Sequence, residues 1–393
     1  MQRPLTGVRV IEICTVASGP FCGMLLADMG ADVVKIENPG GGDSMRQWPP
    51  LTDGYSENFA SLNRNKRSVA LDLKNDQHHQ HARHLMLNAD VVLENNRPGV
   101  MQRLGLDYDS LSPLNPALIY CSISAFGQEG PRRTNAGFDL TMQAMSGIMS
   151  VTGEPEGAPT KCGVPVSDFA TGLYAAFGIA SALHQARISG HGTHIDASML
   201  GSSLAIAALQ TSEFFGRGQD PAKLGSAHPR NAPYQAFRTD DGYLAMAAGN
   251  DSLWRSACHA IDRLDLLDDP RFETTSLRAG NQHLLREIVE QAFGHRTSAE
   301  LLTLFESAGV PCSPINTYSQ ALADPQVEHM GWVESIVLPN GRTTNTFGTP
   351  LRFSGEHHAI YRGPPDLGEH NDELLSDDYA HLTGIHNRGV GDA

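Results

Sequence analysis

Gly7-Val8-Arg9-Val10-Ile11-Glu12-Ile13, the turn Ser18-Gly19-Pro20 with the apolar run Phe21 to Met29, and Ala31-Asp32-Val33-Val34-Lys35-Ile36-Glu37 decide the fold. The two outer segments are short and rich in β-branched residues, so each reads as a buried strand, and the middle one reads as a helix. Strand, helix, strand is a βαβ unit, and the rhythm returns. A short alternating segment at Val69 to Lys74, a helix near Asp76 to Asn88, strands at Ala89 to Leu93 and Ala117 to Ser124, a helix from Phe169, a strand from Gly192 to Asp196 and a helix from Met199 to Phe215 follow. Strands alternating with helices imply a parallel sheet covered on both faces.

Beyond it, Gly216 to Pro233 is rich in Gly, Pro and polar residues, as a linker or a functional loop would be. A smaller unit comes next: strand Gly242 to Ala248, helices Ser252 to Arg263, Gln282 to Phe293 and Ser298 to Ala308, and strand Val310 to Ile315. Trp332 to Leu338 and Thr343 to Phe353 read as a hairpin around Asn340-Gly341, and a last short helix is expected near Asp372 to Leu375. The expectation is an α/β protein. Its large domain runs over residues 1–215, residues 216–233 form a linker or active-site loop, residues 234–325 form a small α+β domain, and residues 326–393 return to complete the large one.

Composition narrows the function. A chain of 393 residues exceeds the size of a single growing core, and 40% hydrophobic against 19% charged residues supplies ample core material. The net charge of −15 and the lack of a basic stripe argue against nucleic acid and anionic membranes as partners. No signal peptide is legible after Met1, and no apolar segment reads as approaching the roughly 20 residues of a membrane helix, so a soluble cytoplasmic protein is expected. The six cysteines lack C-x-x-C spacing and read as reduced core thiols.

Several chemistries lack their usual parts. There is no G-x-x-x-x-G-K-[ST], no G-x-S-x-G and no H-E-x-x-H, and the first βα turn holds Gly19 and Gly23 without G-x-G-x-x-G. His78, His81 and His84 share a helix face, but no carboxylate or thiolate of suitable spacing joins them as metal ligands. Two basic clusters, Asn63-Arg64-Asn65-Lys66-Arg67-Ser68 and Arg97 with Arg103, are expected at the carboxyl ends of parallel strands, where open α/β sheets bind ligands, and suit phosphate groups or simply the surface. Asp168, the single acid of its helix, has two readings: an N-terminal cap, which local chemistry favours, or a nucleophile kept ionised by the helix terminus.

Five segments taken together resemble the class III CoA-transferases of the CaiB/BaiF type, which include formyl-CoA and carnitine CoA-transferases and the related α-methylacyl-CoA racemases. They are Leu5-x-Gly-x-Arg-Val-Ile-Glu with Ala17-Ser18-Gly19-Pro20; Leu26 to Glu37; Leu62 to Ser68; Glu94-Asn95 with Arg97-Pro98-Gly99; and Asp168-x-x-Thr171-Gly172. The resemblance implies a Rossmann-like large domain, acyl-CoA and small carboxylic acids as substrates, no tightly bound cofactor, and a homodimer whose chains interlock like linked rings. It implies Asp168 as nucleophile. The implied CoA contacts are Val16, Ala17, Leu71, Asp72, Lys74, Asn95, Asn96, Arg97 and Arg103, with Phe138 and Asp139 near the pantetheine end. Through it, both basic clusters would face nucleotide phosphates.

Trp48 matches a substrate-side tryptophan of the formyl enzyme, but Ala17 replaces its glutamine, and Gly225 to Asn231 replaces its glycine-rich loop. Oxalate and formate are therefore not the expected substrates. Arg46, His228 and Arg230 could instead meet the remote carboxylate of a C4 to C5 dicarboxylate such as succinate, itaconate, mesaconate or citramalate. The racemase branch needs a histidine in its Gly-His-Asp segment. Here the segment is Gly137-Phe138-Asp139, and phenylalanine cannot move a proton. The alternatives to a transferase are such an epimerase or a CoA-binding protein without catalysis.

Overall fold

The computed structural model describes residues 2–376. Contacts divide the chain into two compact units. The first comprises residues 2–148, 162–212 and 327–376, and the second residues 149–161 and 213–326.

In the first unit, β1 (Arg9–Ile13), β2 (Asp32–Glu37), β3 (Arg67–Ala70), β4 (Val91–Glu94), β5 (Ile119–Ser124) and β6 (Thr193–Ser198) form one parallel sheet. Their order is β3-β2-β1-β4-β5-β6. This is the order of a dinucleotide-binding Rossmann sheet, with a switch point between β1 and β4 where successive connections leave in opposite directions. Adjacent side chains of β1 feed opposite faces. Val10 packs with Cys22, Leu26, Ile179 and Leu183, whereas Ile11 packs with Val34, Leu85, Met86 and Val92. Burial of both faces accounts for the near-continuous apolar runs that betrayed the strands in sequence.

Two helices reach the switch point. Helix α1 (Ser18–Asp28) begins directly after the β1 loop, earlier than the Ser-Gly-Pro turn suggests. Helix α2 (Asp76–Leu87) follows β3, α3 (Asp139–Met145) follows β5, and α4 (Val166–Ser189) lies against α1, β5 and β6. A Cβ on Gly172 would stand 2.8 Å from the Ser18 carbonyl and 2.9 Å from the Phe21 ring, so glycine is what lets α4 cross α1 this closely. Thr171 is buried beside it and donates to the Ser167 carbonyl at 2.6 Å. The Thr-Gly of the Asp168 motif is thus a packing device that brings two helix starts together.

Helix α4 corrects an expectation. It has 24 residues and contains an 18-residue stretch of mean hydropathy 1.3, long and apolar enough to cross a membrane by length and composition. Its glycines and serines read as breaks in the sequence, yet they are points of close approach within one continuous helix, and its buried face belongs to the core. The single helix expected from Met199 also differs: it splits into α5 (Met199–Ile206) and α6 (Ala208–Arg217).

The returning segment covers the sheet edge. The Ala70 amide donates to Asn371 Oδ1 at 2.8 Å, the His370 amide to the Ser68 carbonyl at 3.0 Å, and Arg67 pairs with Glu373 at 2.7 Å, so β3 offers no bare edge. The last residues assigned to this segment, 377–393, lie outside the described residues.

The second unit is α+β. Strands β7 (Tyr234–Arg238), β8 (Tyr243–Ala247) and β9 (Cys312–Pro314) pair antiparallel in the order β9-β8-β7. Its core gathers Phe237, Trp254, Phe272, Phe293 and Phe305. Wholly buried Arg278 donates to the Ala232 and Phe272 carbonyls and pairs with Asp251.

Candidate active site

The loops leaving β1 and β4 diverge at the switch point, and two cavities open there within the first unit. One, of about 290 Å³, is lined by Val16, Ala17, Asn95, Asn96, Arg97, Phe138 and Asp168. The other, of about 400 Å³, is lined by Leu71, Asp72, Lys74, Asn95, Asn96 and Arg103. Thr15, Asn95 and Asn96 line both, so the two cavities meet along these residues. Residues far apart in sequence are therefore assembled into one crevice at the carboxyl edge of the sheet.

Local hydrogen bonds shape its walls. Asn95 Oδ1 accepts from the Thr15 amide at 3.0 Å while its Nδ2 donates to the Thr15 carbonyl at 2.8 Å, clamping the β1 loop to the β4 loop. Glu94 accepts the Asn96 amide at 2.7 Å, and burial pushes its carboxyl up to about 7. His78 Nδ1 takes the Asp72 amide at 3.1 Å, and His79 Nε2 lies 2.6 Å from the Leu104 carbonyl. Two histidines of the run thus brace the larger cavity. Among the described residues no His, Cys, Asp and Glu side chains gather as three or more to hold a metal ion.

Asp168 is not the cap. Pro165 occupies that position, and no side chain caps the helix. An acid in the third helical position ordinarily reaches back to the amide of the cap residue, but proline has no N–H to offer. The carboxylate is left to the 290 Å³ cavity. Nor does the helix start hold its carboxyl low. Burial first, and the neighbouring Asp139 second, push it up to about 6, against a hydrogen bond from Ser18. It is still mostly ionised at neutral pH, in surroundings that favour its neutral or acylated form.

Other expected residues sit differently. Asp139 spends its carboxylate on the protein, accepting the Ser167 amide at 2.9 Å and Gln143 Nε2 at 2.7 Å, which ties α3 to the start of α4. Phe138 is 70% exposed. Arg46 and Trp48 line neither cavity. The Arg46 guanidinium donates to both oxygens of Glu37, at 2.8 and 2.6 Å, and to the Pro365 carbonyl, and it stacks on Phe59. His228 and Arg230 belong to the second unit, where His228 stacks on Tyr234 and accepts the Arg230 and Asn231 amides, and Arg230 pairs with Glu213.

The first basic cluster is a correction. Arg64 pairs with Asp28, Lys66 with Glu12 and Arg67 with Asp32, and all three cations are buried, so they are not free to meet phosphates. Lys74, Arg97 and Arg103 have no ion-pair partner among the described residues, and all three are exposed at the crevice. Sequence reading also passed over Ser18, which hydrogen-bonds to Asp168, and Thr15. The signal for Ser18 was the Ala17-Ser18-Gly19-Pro20 motif, which places a hydroxyl on the first residue of α1.

A parallel sheet in Rossmann order, a crevice at its switch point and Asp168 facing the smaller of its two cavities define the class, and comparison with known proteins agrees. The chain belongs to CoA-transferase family III, whose model matches residues 5–371. It is 41% identical over 383 residues to the succinate–glutarate CoA-transferase of Agrobacterium fabrum, covering 96% of each chain. It is 36% identical to the human succinyl-CoA:glutarate CoA-transferase, covering 95% of this chain and 86% of that one. The crystal structure of a CAIB/BAIF family protein from Brucella suis superposes with a TM-score of 0.85 at 37% identity, over 95% of this chain and 99% of that one. The protein is thus an enzyme, a CoA-transferase that takes CoA thioesters as substrates.

Proposed function

We propose that this enzyme moves CoA between C4 and C5 dicarboxylates, with succinyl-CoA as a donor, through covalent intermediates on Asp168. The observation that carries the reading is the placement of Asp168: uncapped, facing a cavity, beside Ser18, and continuous with a second cavity rimmed by Lys74 and Arg103. Relatives named for succinate with glutarate support the substrate class, as does a 35% identical succinyl-CoA:mesaconate CoA-transferase from Haloarcula hispanica.

A carboxylate of Asp168 attacks the thioester carbonyl, the C–S bond breaks, and CoA leaves as thiolate while an aspartyl mixed anhydride forms. The thiolate attacks the aspartyl carbonyl, expelling the donor acid and leaving an aspartyl-CoA thioester. The acceptor carboxylate attacks that thioester and expels the thiolate. The thiolate then attacks the acceptor's carbonyl in the second anhydride, which yields the new acyl-CoA and restores Asp168. Each step exchanges one acyl derivative for another, so no redox change is required. Ser18 is positioned to steady the carboxylate, Asp139 fixes the start of α4, and Lys74, Arg97 and Arg103 face the nucleotide phosphates.

We also propose a homodimer of interlocked chains. Leu173, Tyr174, Phe177 and Ile188 recur along an exposed side of α4, with Phe177 at 72% and Ile188 at 75%, and a second copy would cover them.

The test is Asp168→Asn assayed against a panel of acyl-CoA donors and mono- and dicarboxylate acceptors by mass spectrometry. Transfer should fall by about 10³-fold or more, and hydroxylamine should capture an Asp168 adduct in the wild type only. A variant that keeps activity, or a wild type that never yields the adduct during turnover, refutes the covalent scheme.

A further inference from the structure

The backbone of the β1 loop is strained at one residue. Val16 has φ of 67°, the left-handed region, which a β-branched side chain occupies only under strain. Such a residue persists only where its surroundings hold it, and here the loop is gripped at three successive residues. The Cys14 carbonyl accepts Lys35 Nζ at 2.6 Å, Asn95 takes both polar groups of Thr15, and the Val16 amide donates to both oxygens of Asp43, at 3.1 and 3.2 Å.

The grip comes from a buried network. Lys35 Nζ also meets Asp43 at 3.1 Å and Glu12 at 2.9 Å; Glu12 meets Lys66 at 2.8 Å; and Glu37 accepts the Asp43 amide while holding Arg46. Three acids and three bases balance one another, so the charge is neutralised in place, and Glu37 and Asp43, nearly wholly buried, form part of the floor of the 400 Å³ cavity. The network lies under the loop whose other side lines the Asp168 cavity, and α1, with Ser18, starts straight from it.

We propose that Asp43, gripped by Lys35, is a positioning residue for acyl transfer, acting through Val16. By holding the strained loop it fixes Val16, Ala17 and Ser18, and so the place where a thioester carbonyl meets the nucleophile. This rests on the reading of Asp168 as that nucleophile. A mere staple of the fold would alter stability and leave turnover at a permissive temperature unchanged.

A double-mutant cycle on the full chain separates the two. Asp43→Asn should lower kcat about 10- to 100-fold, since a misplacement of about 1 Å costs that much. KM for succinyl-CoA should stay within about 3-fold, because Asp43, although it borders the cavity of Leu71 to Lys74, is 1% exposed and has its carboxylate engaged by Lys35 and the Val16 amide. In a Val16→Gly background, where glycine adopts the left-handed conformation unaided, the same substitution should cost less than about 3-fold. An equal loss in both backgrounds, or a loss confined to KM, overturns the proposal. If Asp43→Asn fails to fold, Asp43→Asn with Lys35→Met removes both charges together. Lowered kcat in that folded double variant supports the proposal, and wild-type kcat overturns it. Activity surviving in Asp168→Asn would refute the nucleophile instead, a result the cycle does not share.

Discussion

Lys66 and Lys74 are close in sequence and flank the same strand, β3, yet their surroundings are opposite. Lys66 is wholly buried, 2.8 Å from Glu12 and 2.8 Å from the Pro20 carbonyl, and burial pulls its ammonium below the usual lysine range. Lys74 is exposed at the rim of the 400 Å³ cavity without an ion-pair partner among the described residues. The contrast holds for the acids: Glu12 is locked between two lysines, whereas Asp168 faces a cavity. Paired charges under the crevice hold the fold, and on the proposed function the unpaired charges facing it meet the ligand.

The largest effect belongs to the buried set. Lys66→Met leaves Glu12 a partner short in a wholly buried site, which should destabilise the first unit by about 3–5 kcal/mol. Adding Glu12→Gln should recover part of that loss in a denaturant titration. The network would prove dispensable if the single substitution left the midpoint unmoved. Gly23 belongs to the same device, since a Cβ there would stand 1.9 Å from Glu12 Oε2.

The open set behaves in the reverse sense, and Asp168 shows it through pH. Its folded carboxyl titrates at about 6, above the value of about 3.9 expected unfolded. A raised carboxyl pKa favours the protonated fold, so stability is full below the unfolded value and declines as pH rises to about 6, then stays lowered. Partial exposure reduces the penalty to about 1–3 kcal/mol. Asp168→Asn should therefore be inactive and yet melt at a higher temperature than the wild type at pH 8, with the gain fading by pH 4. A loss of stability at pH 8 would mean that the carboxylate contributes to the fold after all.

The same distinction explains what the sequence could and could not reveal. The βαβ rhythm was legible because β1, β2, β4 and β5 are buried on both faces, and the crevice followed because strand ends and loops are ordered along the chain. Pairing is not ordered that way. Arg64 and Lys66 look like phosphate ligands until Asp28 and Glu12, well upstream, fold against them. Asp168 looks like a cap until the helix is seen to start at Val166, after a proline. The strain at Val16 leaves no mark at all, because valine is the residue least suggestive of a left-handed turn. Motif resemblance located Asp168, but only distances separate the charges that hold the crevice from those that face it.

The smallest expected effects are at the rim, and they complete the contrast. Lys74→Ala and Arg103→Ala should each raise KM for acyl-CoA by about 3- to 10-fold, roughly 1 kcal/mol apiece, since an exposed cation meets phosphate through screened water. Neither should shift the melting temperature, because neither has an ion-pair partner among the described residues to abandon. Raising salt from 50 to 500 mM should weaken the wild type toward the variants, about 8 Å being the screening length near physiological strength. The Lys66 and Glu12 pair, sealed from that salt, should not respond. If the rim variants instead lose stability with KM unchanged, Lys74 and Arg103 belong with the buried set, and the nucleotide must find its phosphate partners elsewhere along the crevice.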